Sequence, residues 1–150
     1  MNKSNLITTI SRAFKTPVEN LWKAWTQPEY IVQWWGLKGI TTKVNEYDFS
    51  LNGAWKYEML MPNGQEFIAE GIFTEIEVFR KIALMASFKP MTEKVELETL
   101  FNIKEDQTEF TFNIIHPTEK DKIHQENMGV VKGWNSTFDR LSEFLLEFNS

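Results

Sequence analysis

Cysteine is absent from this sequence, and its absence excludes three kinds of function at once. Among 150 residues there is no Cys, so disulfide bonds, thiolate nucleophiles and cysteine metal sites are all excluded. A chain without cysteine suits a reducing compartment. Residues 1–11 contain no apolar segment of the length that a signal peptide needs. We therefore expect a cytoplasmic protein.

Histidine and basic side chains are also scarce. The only histidines are His116 and His124, whereas a metal site needs several converging ligands, so no metal and no other cofactor is predicted. Lys and Arg number 16 against 21 Asp and Glu, which gives a formal net charge of −5. Nucleic acids and anionic membrane surfaces bind clustered basic side chains, so neither is an expected partner. No apolar run approaches the ~20 residues of a membrane span.

Aromatic residues, in contrast, are abundant. The chain has twelve Phe and six Trp, and each such side chain can bury roughly 150–250 Å². Residues 26–36 concentrate this surface, because Trp34 and Trp35 are adjacent and Gly36 follows them. So much apolar surface on one helical turn needs a large concave partner. Length and composition predict that residues 1–150 form a single domain around one core.

Two short consecutive helices are predicted after a first strand at residues 6–14. Residues 16–19 combine Thr, Pro and Glu in a helix-start pattern, and residues 26–29 repeat it ten residues later. The second helix is predicted to end at Gly36, because glycine tolerates a positive φ.

Residues 40–115 alternate between apolar and polar side chains with a period of two. This alternation predicts an antiparallel sheet with one covered face. Glu58, Glu70 and Glu98 fall on the opposite, solvated face. By the same parity Glu75 falls on the covered side, beside Phe73.

A long C-terminal helix is predicted from about residue 122 to residue 148, because apolar residues recur at spacings of three and four. Gly129 and Gly133 lie in its first turns, where they either allow a close approach or mark a late, irregular helix start. The helix must cover the apolar face of the sheet. The predicted architecture is α+β, a helix-grip fold in which a curved antiparallel sheet of about six or seven strands wraps the long helix.

Several motifs point to a known family. They are Pro17-Val18-Glu19, Leu21-Trp22-Lys23-Ala24-Trp25-Thr26, Gln33-Trp34-Trp35-Gly36, Asp48 with Gly53 and Trp55, Gly71-Ile72-Phe73-Thr74-Glu75-Ile76, and Gly133-Trp134. With these motifs the chain resembles the activator of heat-shock-protein ATPase homologue family, within the START-like (SRPBCC) superfamily. Asn52 stands where that family has the first glycine of its strand-entry motif. The resemblance implies a helix-grip fold with an internal apolar pocket, and it implies no single activity.

The first functional hypothesis is a non-enzymatic domain that binds a small hydrophobic or aromatic molecule between the sheet and the last helix. The side chains predicted to line its pocket are large and inward-facing: Trp34, Trp35, Trp55, Tyr57, Met59, Phe73, Phe88, Phe101, Phe112, Trp134 and Phe138. Met59, Met61, Met85 and Met128 would make such a pocket deformable, or would fill gaps in a packed core. The hypothesis assigns no catalytic residue.

Two alternatives stay open. One is a cyclase- or dehydratase-like enzyme, in which Glu75, Tyr57 and His116 are the candidates for proton transfer and burial would raise the pKa of Glu75. The other is a protein-interaction domain that binds a chaperone or forms a homodimer. Outside the enzyme hypothesis, His116 and His124 are interpreted as surface or capping residues.

Overall fold

A computed structural model describes residues 3–36, 38–89, 92–105 and 107–148 of the chain. Within these ranges, seven antiparallel strands form one sheet in the order β1-β7-β6-β5-β4-β3-β2. The strands are β1 (Ile7–Phe14), β2 (Thr41–Tyr47), β3 (Ala54–Leu60), β4 (Glu66–Glu77), β5 (Lys81–Lys89), β6 (Thr92–Ile103) and β7 (Thr108–Ile115). The α-helices are α1 (Val18–Thr26), α2 (Pro28–Trp34), α3 (Glu119–Asn127) and α4 (Val130–Phe148).

The long helix α4 packs on the apolar face of the sheet through aromatic contacts. The ring of Phe138 lies 4.9 Å from that of Phe110 and 5.2 Å from that of Phe112, centroid to centroid. On β1, an edge strand of the sheet, Arg12 Nη2 donates to the carboxylate of Asp139 on α4 at 2.9 Å. The prediction of an α+β helix-grip fold, with two short helices after the first strand, is therefore confirmed.

The two short helices are joined by one extended residue. Gln27 has φ −95° and ψ 125°, and Pro28 opens α2 where a missing N–H costs nothing. The indole Nε1 of Trp34 donates to the carbonyl oxygen of Ala24 at 2.9 Å, which fixes α2 against α1. Gly36 has φ +98°, so the predicted end of the second helix at a glycine is correct.

The geometry of the loop between β2 and β3 explains the Asn-Gly pair at its end, directly before β3. Asn52 has φ +63°, a left-handed conformation that asparagine tolerates better than most residues. A Cβ on Gly53 would lie 2.1 Å from the carbonyl oxygen of Asp48. Position 52 therefore needs a residue that tolerates a left-handed backbone, and position 53 needs one without a Cβ.

A β-bulge in β4 overturns the predicted orientation of Glu75. The register with β5 shifts between Phe73 and Glu75, so the alternation restarts and Glu75 turns to the outer face. There its carboxylate pairs with Lys81 Nζ at 3.1 Å, and Lys81 also contacts Glu98 at 3.3 Å. The hydrogen bond that Lys81 donates to the Glu75 carboxylate is the main cause that raises the pKa of Lys81.

The predicted single C-terminal helix is two helices. Helix α3 begins after Thr118, whose hydroxyl accepts from the backbone N–H of Asp121 at 3.1 Å, and it has no buried residue. Gly129 separates α3 from α4 with φ +87°, a conformation that breaks a right-handed helix. Gly129 therefore marks a late start of the long helix, which is one of the two interpretations that the sequence left open for this glycine.

Candidate functional site

A cavity of about 260 Å³ lies between the α3–α4 junction, strands β3 to β5 and the end of α2, and it is partly open to solvent. Its wall is mainly apolar and comprises Trp35, Gly36, Ile40, Met59, Met61, Phe67, Phe88, Gln125, Met128, Gly129, Val130, Gly133, Trp134 and Thr137. None of these side chains is ionisable. The two polar ones are Gln125 and Thr137, and the Thr137 hydroxyl donates to the carbonyl oxygen of Gly133 at 3.3 Å.

Three aromatic rings form one corner of this cavity. The ring of Trp134 lies 5.5 Å from that of Trp35 and 6.0 Å from that of Phe88, and both pairs are nearly perpendicular. Edge-to-face contacts of this kind fix ring positions without a face-to-face stack. With Met59, these three are the predicted pocket residues that reach the cavity. Of the four methionines that sequence analysis singled out, Met85 alone does not line it.

Beneath Trp35 lies a second, much smaller void. Its volume is about 10 Å³, roughly the space of one water molecule. Three more of the predicted pocket residues, Trp55, Tyr57 and Phe73, line this void. Trp35 also lines it and thereby separates it from the larger cavity. Burial raises the pKa of Tyr57, so its hydroxyl stays protonated at neutral pH.

The remaining predicted pocket residues lie in the packed core and line neither space. Trp34 is fully buried, and its ring centroid lies 4.9 Å from that of Trp25 on α1. Phe101 packs against Trp22 at 5.4 Å. Phe112 and Phe138 lie behind Trp134, at 4.6 Å and 5.8 Å. Strand parity predicts the correct face for Phe101 and Phe112, and helical spacing does so for Phe138, but neither pattern indicates how deeply a side chain lies.

The three candidates for proton transfer do not meet. Glu75 is on the outer face of the sheet, as described above. Tyr57 is on β3, and His116 directly follows β7, so that β4, β5 and β6 lie between them in the sheet. The arrangement that the enzyme hypothesis needed is therefore not formed by these residues.

His116 is buried, with 2% of its surface exposed, so its interpretation as a surface or capping residue is wrong. Its Nε2 lies 3.1 Å from the hydroxyl of Thr8, which donates to Glu126 Oε2 at 3.2 Å. Because the single hydroxyl hydrogen points to Glu126, His116 Nε2 carries the proton and donates to Thr8. Burial lowers the pKa of His116. This chain of hydrogen bonds attaches the polar helix α3 to β1.

Eight of the fourteen residues that line the cavity were not predicted from the sequence to line a pocket. Ile40, Phe67, Gln125, Val130 and Thr137 gave no signal that separates them from ordinary core or surface positions. Most of them lie on loops or at helix ends, whose placement over the sheet does not follow from hydrophobic periodicity. Across the described part of the chain, no three potential metal ligands come together. No helix there is long and apolar enough to cross a membrane.

An antiparallel sheet wrapped on a long C-terminal helix, with an apolar cavity at one end of the helix, defines a START-like domain of the helix-grip fold. Within that class, the chain belongs to the family of Activator of Hsp90 ATPase homolog 1-like proteins, whose sequence profile matches residues 15–146. The family resemblance identified from the sequence motifs is thereby confirmed.

Solved structures agree on the fold. A protein from Arthrobacter aurescens superimposes with a TM-score of 0.90 at 19% identity, over 98% of this chain and 90% of that one. A protein from Nitrosomonas europaea gives 0.86 at 21% identity, over 99% of both chains. The AHSA1 protein from Silicibacter pomeroyi gives 0.72 at 18% identity, over 94% of this chain and 99% of that one. No curated protein sequence matches this chain significantly.

Proposed function

We propose that this domain binds a small hydrophobic or aromatic molecule in the cavity beside the start of α4, without catalysing its conversion. The observation that carries the proposal is the cavity itself, a partly open space of about 260 Å³ with a mainly apolar wall. Water gains few hydrogen bonds from such walls. Apolar surface that moves from water into the cavity contributes about 25 cal/mol per Å² before the cost of association.

The chemistry of the wall favours binding over catalysis. A general acid or base must lie within hydrogen-bond reach of the substrate, and the cavity wall carries no ionisable side chain among the described residues. The methionines Met59, Met61 and Met128 line the same cavity as the three aromatic rings. Flexible thioether side chains adapt to ligands of differing outline, which suits a binding protein.

The test is a screen of small apolar molecules by two-dimensional NMR of the labelled protein. Naphthalene, indole, cyclohexanol and 1-dodecanol cover flat, compact and extended shapes. We expect at least one to shift the indole N–H signals of Trp35 and Trp134 in a saturable way. If none of the four perturbs these signals up to its solubility limit, the proposal is rejected.

A variant that fills the cavity serves as the matched control. Gly133→Leu places a side chain at a residue of the cavity wall, in a helix where leucine is favoured over glycine by about 1 kcal/mol. The expected result is a folded protein that no longer binds the ligand. Lys132→Leu changes the neighbouring exposed residue of the same helix and is expected to leave binding unchanged.

A further inference from the structure

The cavity also restricts the chemical class of the ligand. We infer that it takes an uncharged, flat aromatic molecule of about two fused rings, with one hydrogen-bonding group that meets the side chain of Gln125. This inference rests on the proposed function and goes further, because it states what the same cavity accepts and rejects. It rests on the volume of the cavity, the composition of its wall, the arrangement of its aromatic rings and the position of the Gln125 amide.

Size limits the ligand to about two rings. The cavity volume of about 260 Å³ lies above the roughly 150 Å³ that holds one benzene ring in an engineered apolar cavity. It lies below the range of about 300–1,000 Å³ that is usual for drug-sized ligands. A long alkyl chain or a sterol would therefore extend into solvent.

Charge is excluded by the composition of the wall. A carboxylate or an ammonium group inside would find no ionisable partner among the described residues that line the cavity. An unpaired charge in an apolar site is strongly unfavourable. The part of the ligand that the cavity encloses is therefore uncharged.

The aromatic corner favours a flat ligand. Trp35 and Phe88 stand nearly perpendicular to Trp134, at 86° and 82°. A planar ring that enters this corner can stack on one of these side chains while its edge meets another. Met61 and Met128 can close on its remaining face, because their side chains are unbranched and adaptable.

Gln125 supplies one polar contact at the rim. It is half-buried near the end of α3 and is one of the residues that line the cavity. Among the described residues its amide has no hydrogen-bond partner. The amide offers both donors and an acceptor, so it can pair with a hydroxyl or a carbonyl group of the ligand. The Thr137 hydroxyl uses its hydrogen to donate to Gly133, so toward the ligand it can act only as an acceptor.

The test compares four probes by isothermal titration calorimetry near pH 7: 2-naphthol, naphthalene, 2-naphthoate and 1-dodecanol. We expect 2-naphthol to bind best. Naphthalene, without the hydroxyl group, is expected to bind about 2- to 10-fold more weakly. The ionised 2-naphthoate is expected to bind at least ~100-fold more weakly, because its charge has no partner.

Two variants on the same helix test the role of Gln125. In Gln125→Leu the preference for 2-naphthol over naphthalene should disappear, while naphthalene binds as before. In Asn127→Leu, which changes an exposed amide two residues away, the preference should remain. A preference that survives Gln125→Leu overturns the assignment of this residue.

Failure of the inference and failure of the proposed function give different results. If 1-dodecanol or 2-naphthoate binds more tightly than 2-naphthol, the ligand class is wrong although the cavity still binds ligands. If no probe binds and none shifts the indole signals, the proposed function itself is wrong. The comparison of the four probes uses the wild-type protein, so it does not depend on the stability of any variant.

Discussion

Arg140 on α4 donates a hydrogen bond from Nη1 to the carbonyl oxygen of Gly36, at 3.1 Å. The same guanidinium contacts the carbonyl oxygens of Trp35 and Gln33, at 3.3 Å and 3.2 Å. The last carbonyl groups of a helix have no partner within the helix, so Arg140 caps α2 from outside. Because Trp35 and Gly36 belong to the cavity wall, this cap also fixes one end of the cavity to α4.

Replacement of Arg140 should therefore destabilise the protein. Arg140→Met leaves three carbonyl groups without this donor, and we expect a loss of about 1–3 kcal/mol in the free energy of unfolding. Arg140→Lys should be more stable than Arg140→Met but less stable than the wild type, because an ammonium group cannot reproduce the planar fork of a guanidinium. Urea titration measures both values. Arg80→Met, at an exposed arginine, should change stability by less than ~0.5 kcal/mol.

The stability of the protein should fall when the pH drops below about 6.5, owing to His116. Burial lowers its pKa from the ordinary value of 6.5, while Glu126 and Asp121 oppose this shift and Lys122 adds to it. The unfolded chain therefore binds the proton first as the pH falls. The contribution of neutral His116 is complete above its unfolded pKa and is lost as the pH falls through the folded pKa.

Urea midpoints at about pH 7.5 and about pH 5 measure this dependence. His116→Gln keeps an N–H donor toward Thr8 but cannot titrate, so its midpoint should change less between the two pH values. His124, which is exposed on α3, provides the control. If His124→Gln reduces the pH dependence as much as His116→Gln does, the assignment to His116 is wrong.

The left-handed backbone at Asn52 predicts that two small substitutions differ in their effect on stability. Its φ is +63°, which costs an alanine about 1 kcal/mol and costs a glycine nothing. Asn52→Ala should lower the free energy of unfolding by about 1 kcal/mol, and Asn52→Gly should keep it within ~0.5 kcal/mol. Thermal unfolding of the two variants tests this. Equal stabilities would show that the asparagine side chain matters more than the backbone.

Gly71 in β4 is expected to be the glycine least tolerant of substitution. A Cβ at this position would lie 1.8 Å from the carbonyl oxygen of Met85 on β5, so the two strands would have to separate. Gly71→Ala should lower stability by more than about 3 kcal/mol or prevent folding. Gly64→Ala introduces strain at φ +88° but meets no atom within 4 Å, and it should cost only about 1 kcal/mol. A soluble-expression assay followed by urea unfolding distinguishes the two.

Much of the fold could be predicted because apolar side chains repeat regularly along the chain. Period-two alternation identified the strands and their covered face, and the spacing of apolar residues identified α4. The prediction failed where backbone geometry changes without a clear sequence signal. One bulge after Phe73 turned Glu75 outward, and nothing around His116 indicated that Thr8, more than a hundred residues earlier, would become its partner.

The cavity was only partly predictable for a related reason. Alternation indicates which face of the sheet a side chain lies on, so both Phe88 and Phe112 were predicted to line the pocket. Their depth depends on the position of Trp134, which covers Phe112 and leaves Phe88 at the wall. The position of Trp134 depends in turn on where α4 begins. That helix begins directly after Gly129, whose left-handed backbone conformation cannot be predicted from hydrophobic spacing alone.

Helix α3 forms part of the cavity wall, through Gln125, yet none of its own residues is buried. Its backbone amides should therefore exchange with deuterium by local opening, at a lower free energy than the amides of the central strands. A ligand that contacts Gln125 and Met128 would hold this helix in place and slow the exchange. The rate of hydrogen exchange in nine residues of α3 would then report occupancy of the cavity without any label on the ligand.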